Sequence, residues 1–416
     1  MNHTNQTETR ITAHIRRTFR SLQHRNYRLW FFGQMISLFG TWMQSAAQGF
    51  FIFKLTNSVF YLGLVGFMTG LPFWLFTLYG GVISDRFPRR SVLLVTQTSM
   101  MTLALILALL TFSGVIKPWH ILILSFLLGV ANAFDTPARH AFVADLVPKE
   151  DLGNAVALNS TMFNISVIVG PVLAGLIYAI LGPAWCFLLN GTSFLAVIAA
   201  LSLMRVEYSI SRRRGSAVEE VLSGLSYLKK RRDLLGIIAT AGAISLFGLA
   251  FTYIVPAWAV KILNGDAATN GLLQAARGLG ALITALALAS TISLVGKRGR
   301  LLEAGALLLP ISIVAFSFSR SLHSSLMTIM LTGVFHVLAI NIALGLLQDL
   351  SADEFRGRVS SVYSLIYFGL MPLGSICIGW LASRAGEPNA VLISGALLLI
   401  STLAILKLFP ELSSVE

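Results

Sequence analysis

Twelve apolar runs, each near or above about 20 residues, recur along the chain and limit its fold more than any other feature. They fall at 29–53, 59–83, 92–113, 119–138, 154–180 and 184–204, then at 236–260, 269–294, 301–319, 324–347, 359–381 and 388–409. In hydrocarbon every backbone N–H and C=O must be satisfied internally, which leaves the helix as the spanning form for runs of this length. Composition agrees, because 56% of the 416 residues are hydrophobic and 12% are charged. A soluble domain carries roughly a quarter charged residues. These runs predict an all-α membrane protein with twelve transmembrane helices.

A net charge of +13 would suit nucleic acid, but its placement argues otherwise. Most Lys and Arg residues lie on the side of the N-terminus, beginning with Arg10, Arg16, Arg17, Arg20, Arg25 and Arg28. The opposite side has Lys54, Lys117, Lys261, Arg320 and Arg384, and Arg277 stands inside a span. That bias predicts both termini in the cytoplasm. The basic charge then serves orientation and contact with membrane lipids, not nucleic-acid binding. Cys186 and Cys377 sit in separate spans and imply no disulfide framework. No metal-ligand spacing or cofactor motif is present, and the first 28 residues lack the short apolar core of a cleavable signal. The first span is therefore expected to stay as an anchor.

The runs divide the chain into a cytoplasmic tail (1–28), a first six-helix bundle (29–204), a linker (205–235), a second six-helix bundle (236–409) and a C-terminal tail (410–416). In the linker, Val221, Leu222, Leu225 and Leu228 recur at helical spacing between Glu219, Glu220 and a basic run from Lys229 to Arg232. This order suits a short amphipathic helix on the cytoplasmic membrane face, with a flexible tether as the alternative. An internal repeat supports two related halves. "DLVPKEDLGNAVALNS" from Asp145 lines up with "DLSADEFRGRVSSVYS" from Asp349, and Gly170–Gly175 with Gly374–Gly379. Paired six-span repeats with a small-molecule cavity between them are a transporter architecture, expected here to work as a monomer.

"GGVISDRFPRR", Gly80 to Arg90, sets one acid among arginines where the second span ends. Gly80 and Gly81 would let a neighbouring helix approach, Asp85 could cap that neighbour, and Arg86, Arg89 and Arg90 could hold the loop to lipid headgroups. The stretch resembles the cytoplasmic signature of the major facilitator superfamily, which implies a gating role for Gly81, Asp85, Arg86, Arg89 and Arg90. Pro88 departs from that pattern, and the second-half equivalent "VGKRGRLL" has Lys297, Arg298 and Arg300 but no aspartate, so the latch is expected on one side only. "GTWMQ", "CFLLNGTSF" and "FDTPARHAFVADLVPKEDLGNAVALNSTMFNISVIVGPVLAG" resemble the enterobactin-exporter-like and macrolide-efflux-like branch of that superfamily. "SVIVGPVLAG" is similar to its antiporter signature, carried here by Ser166, Gly170, Pro171 and Gly175. The resemblance implies a secondary active exporter in a bacterial inner membrane, moving a small amphiphile such as a siderophore by alternating access and proton antiport. Multidrug or macrolide efflux and lysophospholipid flipping are the alternative cargoes.

Charges inside spans are costly and so mark candidate sites. Arg277 lies in the eighth span with Gln274 almost a turn away, and either faces the cavity, favouring an anionic or catecholate-like cargo, or snorkels to the surface. Asp135 with Arg139 could relay protons or form a structural pair near the gating loop. His336 could carry a proton or simply pack. Aromatics such as Phe73, Trp74, Tyr253, Tyr363 and Tyr367 could line the cavity beside Trp42, Phe50, Phe51 and Phe251. The first span has no central carboxylate and the fourth no buried drug-antiporter arginine, which leaves the coupling ion open. No HExxH, GxSxG or phosphate-binding Gly-Lys-Ser loop is present, and the linker is too short for a sensor domain, so neither an enzyme nor a sensor is expected.

Overall fold

A computed structural model describes residues 19–205, 217–291 and 296–414. The expectations for the first part of the tail and for 206–216 of the linker fall outside these residues. The first half comprises α1 (Arg25–Thr56), α2 (Val59–Arg86), α3 (Arg89–Phe112), α4 (Pro118–Leu146), α5 (Leu152–Leu181) and α6 (Pro183–Leu203). After α7 (Ala217–Lys229) come α8 (Arg232–Ala243), α9 (Val255–Lys261), α10 (Ala267–Thr291), α11 (Arg298–Ser317), α12 (Leu322–Leu350), α13 (Arg356–Ala385) and α14 (Glu387–Leu408). Among the described residues there is no strand.

Eleven helical segments are long and apolar enough to cross a membrane. The twelfth span, α1, has 32 residues but carries Gln34, Thr41, Gln44 and Gln48. Thr41, Gln44 and Gln48 are satisfied within the first half, while the Gln34 side-chain oxygen is buried without a partner among the described residues. Gln48 Nε2 donates to Ser125 Oγ at 2.8 Å, and Asn190 Nδ2 donates to Gln44 Oε1 at 2.7 Å. The seventh span differs from the single run expected at 236–260. Between α8 and α9 the chain passes through a π turn (Ile244–Gly248) and a 3-10 turn (Ala250–Ile254). Pro256, at the start of α9, has no N–H to continue the ladder through this break. The break lies where Phe251 and Tyr253 enter the molecule.

The repeat is visible in the joints. Gly182 and Gly386, both at positive φ, turn α5 into α6 and α13 into α14, and each is followed by proline in the first turn. Arg89, opening α3, pairs with Asp145 near the end of α4 at 2.7 Å, and Arg298, opening α11, pairs with Asp349 near the end of α12. Helix α7 lies on the start of α13. A methyl on Gly224 would stand 2.9 Å from the Arg358 carbonyl oxygen, and the Tyr227 ring stacks on Phe355 at 4.3 Å. Val221 and Leu228 are buried there, whereas Leu222 is exposed.

Two helix pairs make the main junction between the halves, α2 with α13 and α5 with α10. Ser375 Oγ donates to the Gly63 carbonyl at 3.1 Å, and a methyl on Gly271 would come within 2.3 Å of the Pro171 carbonyl oxygen. Both contacts lie far from the end that carries Arg25 and Leu408, here termed the terminal end. At the far end, Phe53 and Phe187 of the first half belong to one buried apolar cluster with Phe251, Trp258 and Phe316 of the second. At the terminal end, Trp30, Leu93, Phe142 and Leu201 form a separate cluster within the first half. Gly81, Gly153, Gly345 and Gly357 towards the terminal end look onto open space, as do Gly114, Gly182 and Gly386 in the far-end turns. The halves thus share one apolar cluster at the far end, while at the terminal end the first half has a cluster of its own.

Candidate functional site

At the terminal end of α2, close approach is made by Gly80, whose missing methyl would stand 2.3 Å from the Ala133 carbonyl oxygen. Gly81 faces open space. Pro88 then caps α3, aiming the next two arginines back into the first half. Arg89 bonds the Ala141 carbonyl at 3.2 Å as well as Asp145. Arg90 donates to the carbonyls of Leu201 at 2.7 Å and Ser202 at 2.9 Å. Both cations sit at helix C-termini, where orphan carbonyls and the negative end of the dipole favour them. Arg86 is exposed, and neither it nor half-buried Asp85 makes a hydrogen bond or ion pair among the described residues.

Asp135 lies in the middle of the first half, fully buried. Its Oδ1 accepts from Thr96 Oγ1 at 2.7 Å and Gln97 Nε2 at 2.8 Å, and its Oδ2 from Arg139 Nε at 2.8 Å. Arg139 Nη2 makes a further ion pair with Oδ2. The group ties α3 to α4. Thr96 and Gln97 carry no sequence signal that would mark them as its partners.

The α5 motif faces two ways. Ser166 is buried and turns its hydroxyl to the Met162 carbonyl at 2.8 Å. A methyl on Gly170 would meet Trp42 Cβ at 2.4 Å, and one on Gly175 would meet Ala268 Cα at 2.8 Å. The first contact is with α1, the second crosses to α10. Pro171 leaves the Val167 carbonyl without its helical donor, on the side that Gly278 approaches.

At the far end, Lys261 pairs with buried Glu387 at 2.8 Å and stands over the Phe53 ring of α1 at 5.6 Å. Asn270 Nδ2 donates across the seam to the Ala46 carbonyl at 3.3 Å, and Gln274 donates to Asn270 at 3.1 Å. Gln274 is thus turned towards the far seam. Asp266 opens α10 by accepting the Thr269 backbone N–H at 3.0 Å, which holds its carboxyl below the usual carboxylate range.

Arg277 and His336 are brought together, with Tyr253 and Tyr367 as the electrostatic neighbours of the guanidinium. His336 Nε2 and the Tyr367 hydroxyl are 2.7 Å apart. Tyr367 stacks on Tyr363 at 5.8 Å and meets Phe368 edge-on at 5.1 Å, and Phe368 touches Phe73 of α2 at 5.3 Å. Tyr253 lies against Gly66 of α2. Of the aromatic candidates, Phe73, Trp74, Tyr253, Tyr363 and Tyr367 gather at the seam. Phe50 and Phe51 pack instead on Tyr178 and Phe187, and Phe251 on Phe316. Phe368 was not legible as a member of the group, having no feature beyond its aromaticity.

The staphyloferrin A transporter of Staphylococcus aureus is 26% identical over 91% of this chain and 94% of its own length. Macrolide efflux protein A of Streptococcus pyogenes is 22% identical over 91% and 95%, and the enterobactin exporter EntS of Citrobacter koseri 24% over 94% and 93%. Among solved structures, a peptide transporter superposes with a TM-score of 0.74 at 12% identity over 94% of this chain and 95% of its own. The family of transmembrane secretion effectors matches residues 16–415. The chain belongs to that family of the major facilitator superfamily, a multi-pass membrane transporter and not an enzyme.

Proposed function

We propose that the protein is a secondary active exporter that carries a small amphiphilic metabolite, a siderophore in the leading reading, away from the compartment of its termini. One observation carries this reading. The seam between the halves buries an apolar cluster at its far end and holds the cation Arg277, without a partner among the described residues, beside aromatic side chains. Relatives named for siderophore transport and export, matched over nearly their whole length, support the cargo and the direction. With the positive-inside bias, the terminal end faces the cytoplasm of a bacterial inner membrane, and the protein works there as a monomer. Cargo enters from that side, the halves rock about the α2–α13 and α5–α10 seams, and release follows outside. Proton antiport drives the cycle. Asp85, unbonded among the described residues, is the latch that engages when the terminal end closes.

The test is a deletion strain grown in iron-poor medium, with metabolites inside and outside the cells compared by mass spectrometry. A chelator retained in the cells and missing from the medium is expected, and Asp85→Asn should insert normally yet reproduce the defect. Unchanged metabolites would reject siderophore export, and full export by Asp85→Asn would reject the latch. Drug efflux is the second reading, favoured by the match to macrolide efflux protein A and checked by susceptibility panels on the same strain.

A further inference from the structure

The second half contains a cation that nothing in the described molecule neutralises. Arg277 makes no hydrogen bond or ion pair among the described residues, and its named neighbours are two phenols and an imidazole. Elsewhere the fold does otherwise: Asp135 is bonded to Arg139, and Glu387 to Lys261. No Asp or Glu occurs in α9, α10 or α13. The acids of α12 and α11, Asp349 and Glu303, lie towards the terminal end, and Asp349 is taken by Arg298. A guanidinium set in a membrane span, half-buried and with its N–H groups unused by the described residues, is unfavourable unless something supplies acceptors.

A second unused donor lies on α13, against the ring of Tyr367. Tyr363 is 5% exposed, and its hydroxyl has no partner among the described residues. Its ring is parallel to that of Tyr367, one helical turn nearer the terminal end, while the Tyr367 hydroxyl is engaged with His336. The wall continues through Phe368 to Phe73, so it is built from both halves. Beside it, the Trp74 indole occupies the space that any side chain at Gly369 would need.

We propose that Arg277 and the Tyr363 hydroxyl, with the His336–Tyr367 pair between their helices, form the polar end of the transport site, and that its ligand class is an aryl oxyanion. Such a ligand has a flat apolar body for the aromatic wall and one carboxylate or phenolate for the guanidinium. Lipophilic cations are disfavoured at the same site by Arg277. Because the wall joins α2 to α13, a bound ligand touches both halves and its occupancy biases their rocking. The inference rests on the transport reading above, and names the cargo chemistry which that reading leaves open.

The experiment uses the full chain in phosphatidylcholine nanodiscs, titrated calorimetrically with three probes of one shape: 1-naphthoate, neutral 1-naphthamide and cationic 1-naphthylmethylammonium. Naphthoate should bind about tenfold or more tightly than the amide, the gain expected of a charge-assisted contact, and the cation more weakly than either. Arg277→Gln should abolish the difference between anion and amide. Arg277→Lys should keep part of it, because the charge remains while the planar fork is lost. Tyr363→Phe should weaken naphthoate several-fold and leave the amide unchanged. If Arg277→Gln does not fold, the lysine and phenylalanine variants decide. Equal binding of anion and amide, preference for the cation, no saturable binding of naphthoate, or unchanged selectivity in the variants would overturn the site. Metabolite retention in the deletion strain is scored separately. Export without anion selectivity rejects this site alone, and anion selectivity without export rejects the exporter reading alone.

Discussion

Asp135 accepts every hydrogen bond that Thr96, Gln97 and Arg139 offer it, and at this residue the fold tolerates a buried acid by surrounding it with donors. Replacing it with Asn would leave Arg139 without its counter-charge. Loss of one partner from a buried pair costs about 3–5 kcal/mol. Asp135→Asn should therefore lower the thermal midpoint of the detergent-solubilised protein, and Asp135→Asn with Arg139→Gln should recover part of the loss. Thermal unfolding of the two variants beside wild type checks this, and a single variant as stable as wild type would show the pair to be dispensable. This site was only partly legible beforehand. Asp135 and Arg139, four residues apart on one helix, announce themselves as a pair. The targets of Arg90, the carbonyls of Leu201 and Ser202, do not, because they belong to a helix end more than a hundred residues away.

Helices α5 and α10 touch through atoms that no side chain could separate without moving them. A methyl on Gly271 would fall 2.3 Å from the Pro171 carbonyl oxygen, so Gly271→Val must push the two helices apart at the far end. Its expected result is a loosened far seam. A cysteine placed at Ala46, in a Cys377→Ser background, should react faster with a membrane-impermeant maleimide when Gly271→Val is present. Unchanged labelling would mean that the seam relaxes some other way. Most elements could be foreseen, because hydropathy alone dictates that an apolar run becomes a helix in lipid. Two features escaped for physical reasons. The break between α8 and α9 sits inside an unbroken apolar run, and only Gly248 and Pro256 hint at it. Helix α4 runs to Leu146, well past the expected 138, because its last turns are polar on one side and braced by Arg89.

Across the whole molecule, Arg89–Asp145 and Arg298–Asp349 lock the same two helices in each half. Each half therefore has its own brace, and motion is concentrated where the halves meet. The halves nonetheless differ in how their buried charges are met. The first keeps its buried acid neutralised by its own residues, while the second leaves Arg277 and Tyr363 without partners. That asymmetry bears on how cargo preference would be inherited. A chimera joining residues 1–205 of this chain to the second half of a relative should acquire the relative's cargo range, and the reciprocal chimera should keep that of this chain. Growth of both on a panel of toxic cargoes would show which half travels with the phenotype; a preference that followed residues 1–205 would contradict the expectation. Drift in the second half could then change what is carried while the first half, still able to brace and rock, stayed as it was, so new cargoes could be acquired one half at a time.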